Sequence, residues 1–241
     1  EAETKARAGM RWQTAETPRP AGADKAMADY DVRWYGLALD LNPTTRIVTG
    51  TVTVRAEVVG GPLTPLDLDF GSQMTASGAR SAGMSTSFTW NAGILGVDLD
   101  RAYATGETVE VAIDYAGNPT SSAFGWDTYL GQPLIWTLSE PYGARIWWPC
   151  KDTATDKADS VALDVTVPAN LIVASNGVLA GVSEPATGKK TYHWRERYPI
   201  ATYLVSLAVH PYAVINDVYY PAAGGAMPVT PGIWRRGTAT T

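Results

Sequence analysis

Tyr35-Gly-Leu-Ala-Leu-Asp-Leu41, the turn residues Asn42-Pro-Thr44, and Thr51-Val-Thr-Val-Arg-Ala-Glu-Val58 decide the fold. In the first run Tyr35, Leu37, Leu39 and Leu41 recur at every second position, the period of a strand and not of a helix. In the second run Val52, Val54, Ala56 and Val58 alternate with Thr51, Thr53, Arg55 and Glu57. Strict alternation predicts one buried and one solvated face, and Asn-Pro-Thr between the runs predicts a hairpin turn.

The same texture extends along the chain. Leu66, Leu68 and Phe70 alternate with Asp67 and Asp69, which places both aspartates on a polar face. Leu95, Val97 and Leu99 form a further run. Val109, Val111, Ile113 and Tyr115 are followed later by Val161, Leu163, Val165 and Val167. Val173 precedes Ser175-Asn-Gly177, a tight-turn signal because Asn and Gly tolerate positive φ. Tyr192 and Trp194 share one face, and Tyr203, Val205, Leu207 and Val209 read as a last strand. No segment sustains a helical period. The reading is all-β: a saddle-shaped β-sandwich of mostly antiparallel strands. It divides into a leader over residues 1–29, extended or poorly ordered, a single domain over 30–220, and a loosely held tail over 221–241.

The composition agrees. Among 241 residues, 45% are hydrophobic and 18% charged, with 23 Gly and 16 Pro, which suits a sizeable core built from short strands and turns. A net charge of -5 and the lack of a basic run argue against nucleic acid. No apolar run approaches the roughly 18 residues of a membrane span, so no membrane partner is expected. Cys150 is the sole cysteine, which rules out an intrachain disulfide and a metal site built on several thiolates. The start at Glu1 and the scarcity of lysine lead to the expectation of a secreted or periplasmic protein, while the scarcity of cysteine fits the cytoplasm equally well.

The densest chemistry lies between Trp136 and Ala158, where Glu140, Arg145, Cys150, Asp152 and Lys157 share one Gly- and Pro-punctuated segment. A connector this rich in charge and aromatic rings is a candidate site. Glu140-Pro-Tyr-Gly-Ala-Arg145, Pro149-Cys-Lys-Asp152 and Lys157-Ala158 resemble the signature of the amino-terminal β domain in the aminopeptidase N and leukotriene hydrolase family of zinc peptidases. Tyr30–Asp40, Ile47–Val54, Ser175–Gly177 and Ala201–Leu207 are similar to further landmarks of that domain, in the same order.

The resemblance implies that Glu140 binds the α-amine of a peptide substrate at the edge of a neighbouring catalytic cleft. It implies a thermolysin-like partner domain carrying Gly-x-Met-Glu-Asn and His-Glu-x-x-His, and neither motif occurs in these residues. With His193 and His210 as its only histidines, the chain is expected to hold no zinc of its own and to have no peptidase activity alone. Leu138 departs from the family, which often has Gln there. On the residues alone, Glu140 could equally accept hydrogen bonds from loop backbone or from Arg145.

Arg145, Asp152, Lys157 and Asp159 read as ion-pairing residues that hold the segment, and Cys150 as a buried small hydrophobe. If Trp147 and Trp148 lie on a strand, one faces the core and the other faces outward. Two other functions stay open. One is a non-catalytic binding module. The other is a metal-free hydrolase using His193 or His210 with a serine such as Ser139 or Ser206, for which no Gly-x-Ser-x-Gly elbow is present.

Overall fold

The computed structural model describes residues 27–214, 217–222, 224–225, 227–229 and 232–233. Most of the expected leader, residues 1–26, and much of the expected tail lie outside the described residues. The chain runs through β1 (Tyr30–Asn42), β2 (Ile47–Val58), β3 (Leu63–Asp69), β4 (Met74–Ser81), β5 (Met84–Thr86), β6 (Phe88–Asn91), β7 (Ile94–Tyr103) and β8 (Thr108–Gly117). It continues through β9 (Phe124–Tyr129), β10 (Gln132–Thr137), β11 (Ser160–Pro168), β12 (Ile172–Ser175), β13 (Val178–Ser183), β14 (Lys189–Glu196) and β15 (Leu207–His210). Among the described residues the only helical pieces are short 3-10 turns, and no helix is long and apolar enough to cross a membrane.

The expected hairpin is the centre of the molecule. β1 and β2 pair antiparallel from Tyr30↔Val58 to Asn42↔Ile47. A bulge between Val32 and Trp34 shifts the phase, so Tyr30 and Val32 join Tyr35, Leu37, Leu39 and Leu41 on the buried face. Around this pair grows an eight-stranded sheet, ordered β13-β14-β11-β1-β2-β8-β4-β5. Its neighbours are antiparallel except β1 and β11, which run parallel from Trp34↔Ser160 to Asp40↔Thr166. Parallel neighbours require a long crossover, and here it contains everything from β2 to β10.

A three-stranded sheet, β3-β7-β6, and a four-stranded sheet, β12-β15-β10-β9, cover the buried face and complete a saddle-like β-sandwich. Leu66, Leu68, Leu95 and Val97 from the small sheet join Val52, Val54, Val111, Ile113, Leu163 and Val165 from the large one in a continuous core. Phe70 meets Tyr115 edge-on at 5.9 Å between ring centroids.

Two sequence expectations are corrected. The run from Tyr203 is not strand throughout: Thr202–Leu204 form a 3-10 turn and the strand begins at Leu207. Ser175-Asn-Gly177 does turn the chain, but it links strands of different sheets, because β12 pairs with β15 and β13 with β14. Asn176 closes this turn through its side chain, whose oxygen accepts from Ser206 N at 2.7 Å. Gly177 is required by its φ of 80° and by the Arg195 carbonyl, which would lie 2.2 Å from an added Cβ.

Candidate functional site

The segment after β10 leaves the sheet at Leu138, whose N–H still reaches Ala123 O at 2.9 Å. Side chains then alternate in and out. Ser139 is 2% exposed, and its hydroxyl oxygen accepts from Trp147 Nε1 at 3.0 Å. Leu138 and Glu140 on either side point to solvent. Gly143 N–H closes the turn on Ser139 O at 2.7 Å. A Cβ at Gly143 would sit 2.7 Å from that of Ala123, so the turn depends on glycine for close approach. Ala144–Ile146 form one 3-10 turn, and Gly71 N–H then holds Arg145 O at 2.7 Å.

Below this crest the segment is locked into the core. Trp147 and Trp148 are both fully buried, so neither is the outward-facing residue that a strand would have given. The chain leaves the 3-10 turn at Trp147 without entering a strand, so the in-out alternation does not apply and both rings turn inward. They pack against each other at 5.8 Å, with Trp148 edge-on to Tyr35 at 4.8 Å and Trp147 beside Phe124 at 6.0 Å. Cys150 is buried, as expected, and bridges Asp69 through Asp69 N–H to Cys150 O at 2.7 Å and Cys150 N–H to Asp69 O at 3.1 Å.

The polar residues sort differently from the expected ion pairs. Asp69, assigned by alternation to a polar face, is completely buried at the end of β3. Its carboxylate accepts from Asp152 N at 2.8 Å and lies 3.9 Å from the Arg145 guanidinium. Asp152 is also buried and accepts from Thr202 Oγ1 at 3.0 Å and from Arg145 N at 3.4 Å. Burial, with a further push from neighbouring Asp69, raises its carboxyl to about 6 against the opposing hydrogen bonds from Thr202 and Arg145. Lys151, unremarked in the sequence, donates from its backbone N–H to Tyr35 OH and from Nζ to Tyr30 O at 2.6 Å. It also pairs with Asp156 at 2.5 Å. Lys157 is exposed, and Asp159 lies at the surface 3.8 Å from Arg33. No sequence signal distinguished Asp69, Lys151 or Thr202, because their roles arise from contacts between distant strands.

Glu140 stands apart from this network. It is exposed at the crest, and its side chain makes no hydrogen bond or ion pair among the described residues. Arg145 is turned toward Asp69 instead. Leu138 (56% exposed) and Tyr142 (51%) flank it with open apolar surface.

His210 is buried at the end of β15, with Nδ1 2.9 Å from Pro133 O, and Ser206 interacts with Asn176. Ser139 and Ser206 therefore face partners other than histidine. His193 lies on the outer face of the large sheet between Asp164 and Ser183. Among the described residues no group of three or more His, Cys, Asp or Glu is arranged to hold a metal ion.

Comparisons with known proteins agree with this architecture. An M1 zinc metallopeptidase variant from Deinococcus radiodurans, in a crystal structure with a Tyr-Ser-Ala substrate, superposes with a TM-score of 0.75 at 28% identity. That match covers 88% of this chain and 50% of the other. Leukotriene A-4 hydrolase of Xenopus laevis is 24% identical over 192 residues, covering 75% of this chain and 31% of that protein. Transcription initiation factor TFIID subunit 2 of Gallus gallus is 34% identical over 76 residues, 31% of this chain and 6% of that one. The chain thus spans at most half the length of these relatives. The sequence profile of the Peptidase M1 N-terminal domain matches residues 29–204, and the chain belongs to that family, the N-terminal domains of M1 zinc aminopeptidases.

Proposed function

We propose that this domain forms one wall of the substrate cleft of an M1-type aminopeptidase, and that Glu140 receives the protonated α-amine of a peptide. The observation that carries the reading is the unpaired, exposed Glu140 carboxylate on a crest whose base is buried and hydrogen-bonded. A carboxylate held this way is free to form a charge-assisted hydrogen bond with an ammonium group, and the rigid base fixes its position. The peptide Tyr-Ser-Ala bound by the Deinococcus enzyme is a ligand of the kind such a group would select. Zinc and the general base would be supplied by a thermolysin-like domain, because these residues contain no His-Glu-x-x-His.

Two measurements test this. The 241-residue chain, supplied with zinc, releases no chromophore from aminoacyl anilides; chelator-sensitive release would overturn the assignment of catalysis to another domain. In an enzyme that joins this domain to its catalytic domain, Glu140→Gln raises KM for free-amine peptides roughly 10- to 100-fold, the worth of one charged hydrogen bond. Equal losses on N-acetylated peptides would refute amine recognition.

The similarity to a transcription initiation factor subunit favours a second reading, in which the same β domain serves as a binding module without turnover. Saturable peptide binding that survives Glu140→Gln would support it.

A further inference from the structure

We propose that Ser183, His193 and Asp164 form a nucleophilic site on the outer face of the eight-stranded sheet, able to take an acyl group from small esters with good leaving groups. The three residues come from adjacent strands β13, β14 and β11. Ser183 Oγ lies 2.8 Å from His193 Nε2, and His193 Nδ1 lies 2.8 Å from Asp164 Oδ1. An ionised carboxylate only accepts hydrogen bonds, so Asp164 fixes the proton of neutral His193 on Nδ1. That leaves Nε2 as the acceptor facing the serine hydroxyl. The connectivity is that of a serine-histidine-aspartate triad, which is recognised by geometry and not by order along the chain.

The surroundings suit this use. Burial works against the charge of Asp164, but hydrogen bonds from Arg195 (2.7 Å) and His193 outweigh it and hold the carboxyl below its ordinary range. Ser183 is exposed at the edge of the sheet. A bulge between Leu179 and Gly181 sets Gly181 opposite His193, and a Cβ there would meet nothing within 4 Å. That gap leaves room for an ester to approach. The N–H groups of the ladder lie in the plane of the sheet and not above it, so the ladder itself offers the serine no oxyanion pocket. The site is therefore confined to esters whose leaving group departs easily, and amides are excluded.

In the step, Ser183 Oγ bonds to the ester carbonyl carbon while its proton passes to His193 Nε2. The carbon–oxygen bond to the leaving group breaks, and the proton is released with the alcohol. Water, deprotonated by the same nitrogen, then frees the acid and restores the serine.

The test mixes the 241-residue chain with p-nitrophenyl acetate in mildly alkaline buffer. The expected result is one equivalent of p-nitrophenolate in an initial burst, with an acetyl group mapped by peptide mass spectrometry to Ser183. Ser183→Ala abolishes this labelling, and His193→Ala slows it roughly 100-fold or more, the usual worth of a general base. Ser183→Cys, which keeps a nucleophile on the same strand, restores labelling at that position. Acetyl groups found only on lysine or tyrosine, or an unchanged burst in Ser183→Ala, would show that the cluster is only a cross-strand hydrogen-bond network.

Discussion

Asp152 should make this protein more stable in mild acid than at neutrality. Its carboxyl is buried beside the Asp69 carboxylate and titrates at about 6, raised from 3.8. The folded chain therefore binds the proton more tightly than the unfolded chain, and stability rises as pH falls from the folded value toward the unfolded one. At 1.36 kcal/mol per unit, a shift of roughly two units is worth about 3 kcal/mol between about pH 7 and about pH 4. The opposite contribution comes from Asp114, lowered to about 2 mainly by hydrogen bonds from Arg80, with Thr51 assisting. Its stabilisation is present above the unfolded value and is lost only as pH falls through that value toward 2, so it does not mask the first window. Urea titrations at a series of pH values, read from the midpoint at constant m-value, give the curve directly. Asp152→Asn removes this titrating group, retains an acceptor for Thr202, and should make the slope above about pH 4 shallower, leaving the smaller part due to the raised carboxyls of Asp67 and Asp31. A wild-type curve that is flat or falls on acidification would refute the reasoning, as would an Asn variant that keeps the slope.

Trp147→Ala should cost about 3–5 kcal/mol, because the ring is fully buried against Phe124 and Trp148 and its N–H would leave Ser139 without a donor; a urea midpoint close to wild type would contradict this packing. Gly177→Ala should lower stability by more than about 1 kcal/mol, since it combines a positive φ with a clash against Arg195 O; the melting temperature reports it. Glu140→Gln should change stability by less than about 0.5 kcal/mol, as expected for an exposed, unpaired side chain. A larger loss in a denaturant titration would mean that Glu140 supports the loop.

The alternation of Tyr35 to Leu41 against Val52 to Val58 made the central hairpin legible, because side-chain period and turn chemistry are both local. The parallel contact of β1 with β11 was not legible, since period two says which face a strand buries but not which strand lies beside it. Asp69 shows a further limit. It continues a polar alternation with Asp67, yet the chain returns at Cys150 and covers it, and burial by a distant segment leaves no local trace. Glu140 stands out in the sequence because it sits in a motif, Glu140-Pro-Tyr-Gly-Ala-Arg145. Ser183 was not found, because its relation to His193 exists only after β13 has paired with β14, and the bulge changes the register that a naive count would give.

The arrangement around Asp152 also explains why one short segment carries carboxylates of opposite character. If Glu140 receives a substrate amine as proposed, its position must be fixed, and an exposed side chain cannot fix itself. The anchoring falls to the base, where Asp69, Arg145, Asp152 and Thr202 bind three separate chain segments to one another. Buried groups of this kind contribute little net stability, because desolvation offsets their attraction, but they admit very few alternative geometries. The raised Asp152 carboxyl shows that cost at neutral pH. An apolar replacement at the base could make the domain more stable and still lose the geometry of the crest, which is the trade-off expected where a site depends on a buried polar support.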